Sequence, residues 1–309
     1  MSEQNRREFF RNSAAATGAA ALYGAGAHAA DDPVEMCVAK WKTPSEIGDP
    51  TDAIGPALTE QALAGLGGMK RFVKKGNTVW VKPNIAWDRT PEQAANTNPD
   101  VVKTLVRLCL EAGAKKVFVG DNPCHPARKS YPNSGIEKAA KDAGAEVVYL
   151  DRNRFVETDI GGKALKTIPL FPGILECDLV INAPVAKDHS SAKVTIGMKN
   201  YMGVADNRRK FHQDLPTSIR DIAVYMKPRV TVVDAIRILL RNGPTGGDLA
   251  DVKRTNIVYA STDIVAADAY GAELLGRNPK EIESIVEGQE AGLGTLDYRS
   301  IPFKEIEIG

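Results

Sequence analysis

The sequence predicts an α/β protein: a parallel-rich sheet flanked by helices, with one lobe or two left open. Three observations carry this reading. Short β-branched runs alternate with segments of helical period. Two successive helix-to-strand units share an Ala-Gly-Ala join, at Ala112-Gly113-Ala114 and Ala143-Gly144-Ala145. The helix boundaries carry capping residues. Consecutive units of this kind lead to parallel strands, because each crossover is a helix that packs back on the sheet.

Thr78 to Pro83 reads as a buried strand closed by a proline. Asn98-Pro99-Asp100 then opens a helix, with Asn as N-cap, Pro at the first turn and Asp near the positive end of the dipole. Val102, Leu105, Val106, Cys109 and Leu110 recur at helical spacing and form its buried face, and Gly113 stops it. Val117 to Val119 is the next strand. The unit repeats as a helix over Ile136 to Ala143, a stop at Gly144 and a strand over Val147 to Leu150. Further strands are expected at Asp178 to Asn182, Val230 to Val233 (ending at Asp234) and Ile257 to Tyr259. Helices are expected at Ile219 to Met226, Ile264 to Leu275 and Pro279 to Glu290. A β-rich stretch near Phe155 to Leu170 reads as a hairpin that could divide lobes 30–152 and 153–309. Asn242 to Gly247 is a Gly-rich loop.

The N-terminus has the form of an export signal. Asn5-Arg6-Arg7-Glu8-Phe9-Phe10 precedes a short Ala/Gly-rich apolar run, which closes on the small-x-small site Ala27-His28-Ala29. The paired arginines resemble the twin-arginine subtype. This implies a signal over residues 1–29, an α/β domain over 30–309, passage through the twin-arginine translocase and a periplasmic location. No stretch reaches the ~20 apolar residues of a membrane span. Forty basic against thirty-nine acidic residues give no global field for nucleic acid. The four cysteines, Cys37, Cys109, Cys124 and Cys177, show no Cys-x-x-Cys spacing, so no iron–sulfur or zinc-knuckle motif is written; their disulfide state stays open. P-loop, Gly-x-Gly-x-x-Gly and Gly-x-Ser-x-Gly patterns are missing too.

Ligands of open α/β sheets gather at the carboxyl ends of strands. Here those ends carry Lys82-Pro83-Asn84 with Asp88-Arg89, then Asp121 to Pro126, then Asn182 to His189, and finally Asp234. His125, His189 and His212 remain after signal cleavage, all in stretches read as polar loops. His189 and His125 are expected as an acid/base pair, because imidazole titrates near neutrality. Lys187, Lys199, Asn200, Arg89, Lys82 and Asp234 are expected to hold a small anion, helped by the glycines Gly197 and Gly203. His212 and Cys124 are candidate metal ligands, Cys124 alternatively a nucleophile or a small packed thiol. The cofactor is left open, a metal or metal–organic group included. The rival reading is a non-catalytic periplasmic binding or accessory protein.

Val180 to Pro184, then Lys187-Asp188-His189, then Lys199 to Gly203 resemble the domain-of-unknown-function family number 362 (DUF362). Lys82-Pro83-Asn84, Asp234-Ala235 and Asn242-Gly243-Pro244 fit the same family. The resemblance implies an α/β fold and no settled reaction. Many members carry a ferredoxin segment, which this chain lacks. A fainter similarity is to lactate racemases with a nickel-pincer cofactor. There a catalytic His lies ten residues before the cofactor-holding Lys, as His189 lies before Lys199. Arg89, His125-Pro126 and His212 take comparable places, without the glycine-rich run of those enzymes.

Overall fold

The computed structural model describes residues 33–42 and 54–309. The expected signal over 1–29 lies outside the described residues. Twelve strands are defined among them: β1 (Met36–Trp41), β2 (Thr78–Pro83), β3 (Lys116–Val119), β4 (Glu146–Val147), β5 (Val156–Asp159), β6 (Thr167–Leu170), β7 (Leu179–Ala183), β8 (Val185–His189), β9 (Lys193–Thr195), β10 (Thr231–Leu239), β11 (Val252–Ser261) and β12 (Phe303–Ile308).

The main sheet runs β12-β1-β11-β10-β7-β2-β3-β4, with β8 joined to β10 and β9 to β8. Along that path only β11 runs against its neighbours, so the sheet is mixed and mostly parallel. The expected crossovers are present. β2 lies between β3 and β7, with Val81 opposite both Val119 and Ile181, and Lys82 opposite Asn182. The strands ending near Lys82, Asp121 and Asn182 are therefore neighbours.

Local signals explain the crossover helices. Asn98 caps the helix Pro99–Glu111 by accepting from the Asp100 N–H. Gly113 and Gly144 follow their helices at φ of 100° and 95°, a left-handed conformation that costs a glycine little. Alternation along β2 sends Val79 and Val81 to one face of the sheet and Trp80 to the other. The valines meet Val102, Leu105, Val106 and Cys109 of the helix. Trp80 joins the opposite core with Tyr201, Phe171 and Tyr259. Pro33–Gly309 is one compact unit, and the β5–β6 hairpin is a separate two-stranded ribbon.

Several elements differ from expectation. The strand expected over Val147 to Leu150 is paired only at Glu146–Val147. The strand expected to end at Asp234 continues to Leu239, and its antiparallel partner runs from Val252 to Ser261. The helix expected over Pro279 to Glu290 opens as a 3-10 turn, Pro279–Glu281, before Glu283–Glu290. β1, β12 and the helix Ile54–Gly65 carried no clear sequence signal. The largest correction concerns Asn182 to His189. It is not a loop: Val185–His189 is a strand with all five residues buried. Its Lys-Asp-His run looks solvent-facing in sequence, but its polar atoms find partners inside. No helix of the described residues is long and apolar enough to cross a membrane.

Candidate functional site

Beyond the carboxyl ends of β2 and β3 lies a cavity of about 310 Å³. Its floor comes from Lys82, Asn84 and Asp121. One wall is the β8–β9 hairpin, which places Lys187 opposite Thr195 and presents Lys187 and His189 on one face. The other wall is the segment carrying Lys199, Asn200 and Gly203, continued by Arg208 and His212. Trp87, Cys124 and Pro244 stand at the margins.

The floor is fully partnered. Lys82 Nζ lies 2.8 Å from Asp121 Oδ1 and donates to Asn200 Oδ1 (3.0 Å) and the Pro83 carbonyl (3.0 Å). Asp121 Oδ2 accepts from the Ile85 N–H at 2.8 Å. Asn200 also donates to the Lys82 carbonyl and to Asn182 Oδ1, so it ties the ends of β2 and β7 together. Gly203 must be glycine: a Cβ there would sit 1.8 Å from Asp121 Oδ1 and 2.7 Å from Lys82 Nζ. The turn Gly197–Asn200 is held by Asp268, whose carboxylate accepts from the Gly197 and Met198 N–H groups. Burial raises that carboxyl to about 7.

The walls are less satisfied. Lys187 is 1% exposed and donates to Asn84 Oδ1 and the Ala95 carbonyl, with no ion pair among the described residues. Burial, reinforced by Lys199, lowers its pKa to about 7. Lys199 has neither a hydrogen bond nor an ion pair among the described residues. Burial lowers it to about 8; Arg208 and Lys82 push the same way and Cys124 opposes them. Arg208 binds the carbonyls of Asn122 and Pro123 and the Cys124 thiol, and no carboxylate among the described residues.

His189 is fixed in one tautomer. Its Nδ1 faces the N–H groups of Ser191 and Ala192, both at 3.2 Å. Two donors at Nδ1 leave the proton on Nε2. Burial, with Lys199, Lys187 and His212 adding, lowers its pKa to about 3. The ring is therefore neutral at physiological pH and acts as an N–H donor.

Three other expected residues do not line the cavity. His125 packs edge-on against Trp87 at 4.9 Å between centroids, and its Nδ1 accepts from the Asp88 N–H. It backs the wall rather than facing the ligand space. Arg89 donates to the Gly246 carbonyl and to its neighbour Asp88 O, anchoring the loop that brings Pro244 to the margin. Asp234 is buried mid-strand and accepts from the Asn98 and Ile236 N–H groups; it supports a helix start, and burial raises it to about 6. Lys82, Lys187, Lys199, Asn200, His189, His212 and Cys124 do converge.

All four cysteines are free thiols, with Cys124 exposed. Burial raises Cys37 and Cys177 to about 11 and Cys109 to about 12, as expected of packed, unreactive thiols. Among the described residues no three His, Cys, Asp or Glu side chains gather as a metal site. Cationic side chains crowd the cavity, where His212 and Cys124 also stand. Sequence reasoning missed Trp87 and Thr195 and left Asn84, Asp121 and Arg208 without assigned roles. Trp87 and Thr195 had no signal; Asn84 and Asp121 lay in the quoted strand-end stretches, and Arg208 opens the basic run Arg208-Arg209-Lys210 shortly before His212.

The family model for "Domain of unknown function (DUF362)" matches residues 79–273. The chain belongs to this family. The match spans all the strand ends that build the cavity. Thylakoid-associated protein sll1697 of Synechocystis sp. is 29% identical over 241 residues, covering 75% of this chain and 73% of that one. Among solved structures, a Thermotoga maritima protein from structural genomics is similar at 13% identity and TM-score 0.45. The lactate racemase apoprotein of Thermoanaerobacterium thermosaccharolyticum is similar at 15% identity and TM-score 0.48. This chain covers 60% and 61% of those two proteins, and they cover 76% and 77% of it.

Proposed function

We propose that this DUF362 chain binds a small organic anion, carrying a carboxylate or phosphate, and moves a proton on it. The observation that supports this is the cationic wall. Lys187, which is buried, and Lys199 and Arg208, which are half-buried, face one cavity without a carboxylate partner among the described residues. Clustered cations withdrawn from water are costly unless countercharge reaches them, and a bound anion supplies it. The base in this reading is a lysine. Lys187 and Lys199 lose their protons near 7 and 8, the range a general base needs at neutral pH. His189 then donates its Nε2–H to an oxygen that gains negative charge.

The test is a binding panel on the purified full chain. Inorganic phosphate, oxalate and pyruvate are titrated by calorimetry and thermal shift, with glycerol as a neutral control. At least one anion is expected to bind, more weakly as salt rises. A chain that responds to no anion more than to glycerol leaves only a structural basic cluster, and the reading fails.

Export is part of the same proposal. The signal at Arg6-Arg7 would carry the chain through the twin-arginine translocase to the periplasm. Replacing both arginines by lysine and fractionating cells tests it. A folded, cleaved protein still reaching the periplasm rejects the twin-arginine route.

A further inference from the structure

Lys199 differs from the other cavity lysines in what its amine touches. Lys82 has Asp121, Asn200 and a carbonyl; Lys187 has Asn84 and a carbonyl. Lys199 has none of these among the described residues, yet it lines the same cavity. Its backbone is fixed from both sides. Asp268 holds the two N–H groups just before it, and Asn200 just after it is tied to Lys82 and Asn182. The amine is thus delivered by a rigid turn and left without an internal acceptor. Two further groups of the lining also lack partners. Thr195 Oγ1 is buried, 3% exposed overall, and Trp87 Nε1 is buried as well; neither has a hydrogen bond. His189 keeps Nε2–H free once Nδ1 is taken by the backbone. Orphan buried polar groups are rare in native proteins and mark missing partners. Here a nucleophilic amine and three neutral donors share one space with Arg208 and Lys187. Neutral donors suit a carbonyl or hydroxyl oxygen, and the cations suit a carboxylate.

We propose that the ligand is an oxo acid and that Lys199 condenses with its carbonyl carbon to form an imine. This deepens the anion reading above and rests on it. The lone pair of the neutral Lys199 amine forms the N–C bond while the C=O π pair moves to oxygen. One amine proton passes to that oxygen, giving a carbinolamine, with Lys187 as the neighbouring group placed to relay it. The hydroxyl then leaves with the second amine proton as water, and the C=N bond forms. The balance is amine plus carbonyl giving imine plus water, so no oxidant or reductant is needed. His189 Nε2–H and the Thr195 hydroxyl stabilise the oxygen as it gains charge, while Arg208 holds the carboxylate. The depressed pKa of Lys199 adds to the geometry, since it leaves a share of the amine neutral near pH 7.

The experiment uses pyruvate with sodium cyanoborohydride on the full chain, followed by intact mass and peptide mapping. Reductive trapping adds one pyruvic acid less one oxygen to the modified lysine. Lys199 is expected to label about tenfold faster than the exposed Lys193, to saturate with pyruvate, and to gain rate as pH rises through about 8. Inorganic phosphate is expected to compete. Lys199→Arg keeps the charge and loses the label; its circular dichroism and melting point report whether it folds. Three results overturn the imine. One is a label spread evenly over exposed lysines. Another is no label while pyruvate still shifts the melting point, which leaves the anion reading standing. The third is a parent chain that pyruvate neither labels nor shifts; the phosphate and oxalate titrations then decide the anion reading separately.

Discussion

The floor and the wall of the cavity treat charge in opposite ways. On the floor, Lys82 is neutralised by Asp121 at 2.8 Å and wrapped by Asn200 and a backbone carbonyl. On the wall, Lys199 is half-buried with no such partner among the described residues, although it is adjacent to Asn200 in sequence. A buried charge that is paired and hydrogen-bonded belongs to the fold; one left without countercharge is costly and awaits a ligand. The difference separates scaffold from site within one set of lysines, which residue type alone could not do.

The sharpest way to break this comparison is to remove the floor's carboxylate. Asp121→Ala strands the Lys82 ammonium and frees the Ile85 N–H, so unfolding in urea is expected to cost about 3–5 kcal/mol less. A loss under about 1 kcal/mol would mean that the pair is not structural. The matching change on the wall is Lys199→Met. Affinity for the anion that the parent binds best should fall about tenfold, near 1.4 kcal/mol, while stability holds or rises because an unpaired, partly desolvated cation is gone. A variant that melts earlier with unchanged affinity would place Lys199 in the scaffold.

Arg89→Ala probes the margin. It removes the bonds to Gly246 O and loosens the loop carrying Pro244, at about 1 kcal/mol of stability. Anion affinity should change less than in Lys199→Met; an equal loss would return Arg89 to the ligand-holding role that its sequence position implied. The gentlest test is pH. Unfolded, Lys187 and Lys199 hold their protons to about 10.5; folded, they release them near 7 and 8. Between those values the unfolded chain binds more lysine protons, so stability of the ligand-free protein rises as pH rises from about 7 to about 9, above which the raised thiols of Cys37, Cys109 and Cys177 act in the opposite sense. Below that window Asp268 and Asp234, raised to about 7 and 6, act in the opposite sense, because there the folded chain holds the extra protons. A bound anion favours the charged lysines and should flatten the alkaline rise. A flat profile in the ligand-free chain would contradict the lowered lysine pKa values.

The sequence by itself determined the elements whose signals are local. Asn98 and Pro99 start a helix, Gly113 stops it and Gly144 stops a second, and the alternation along β2 divides two cores, all through interactions within a few residues. It also supplied the residues that could converge, since Lys82, Lys187, His189 and Lys199 lie in or after strands that the sheet brings to one edge. Only the tertiary structure decided what each of them does. Lys82 meets Asn200 across 118 positions, Lys187 meets Asn84 across 103, and Asp234 meets Asn98 across 136. The same packing turned the polar run Val185–His189 into a buried strand and locked His189 as a neutral donor, set His125 behind Trp87, and gave Arg89 to a loop. A side chain's charge state and free valence depend on desolvation and on partners far away in sequence, and those are properties of the fold rather than of any short stretch of chain.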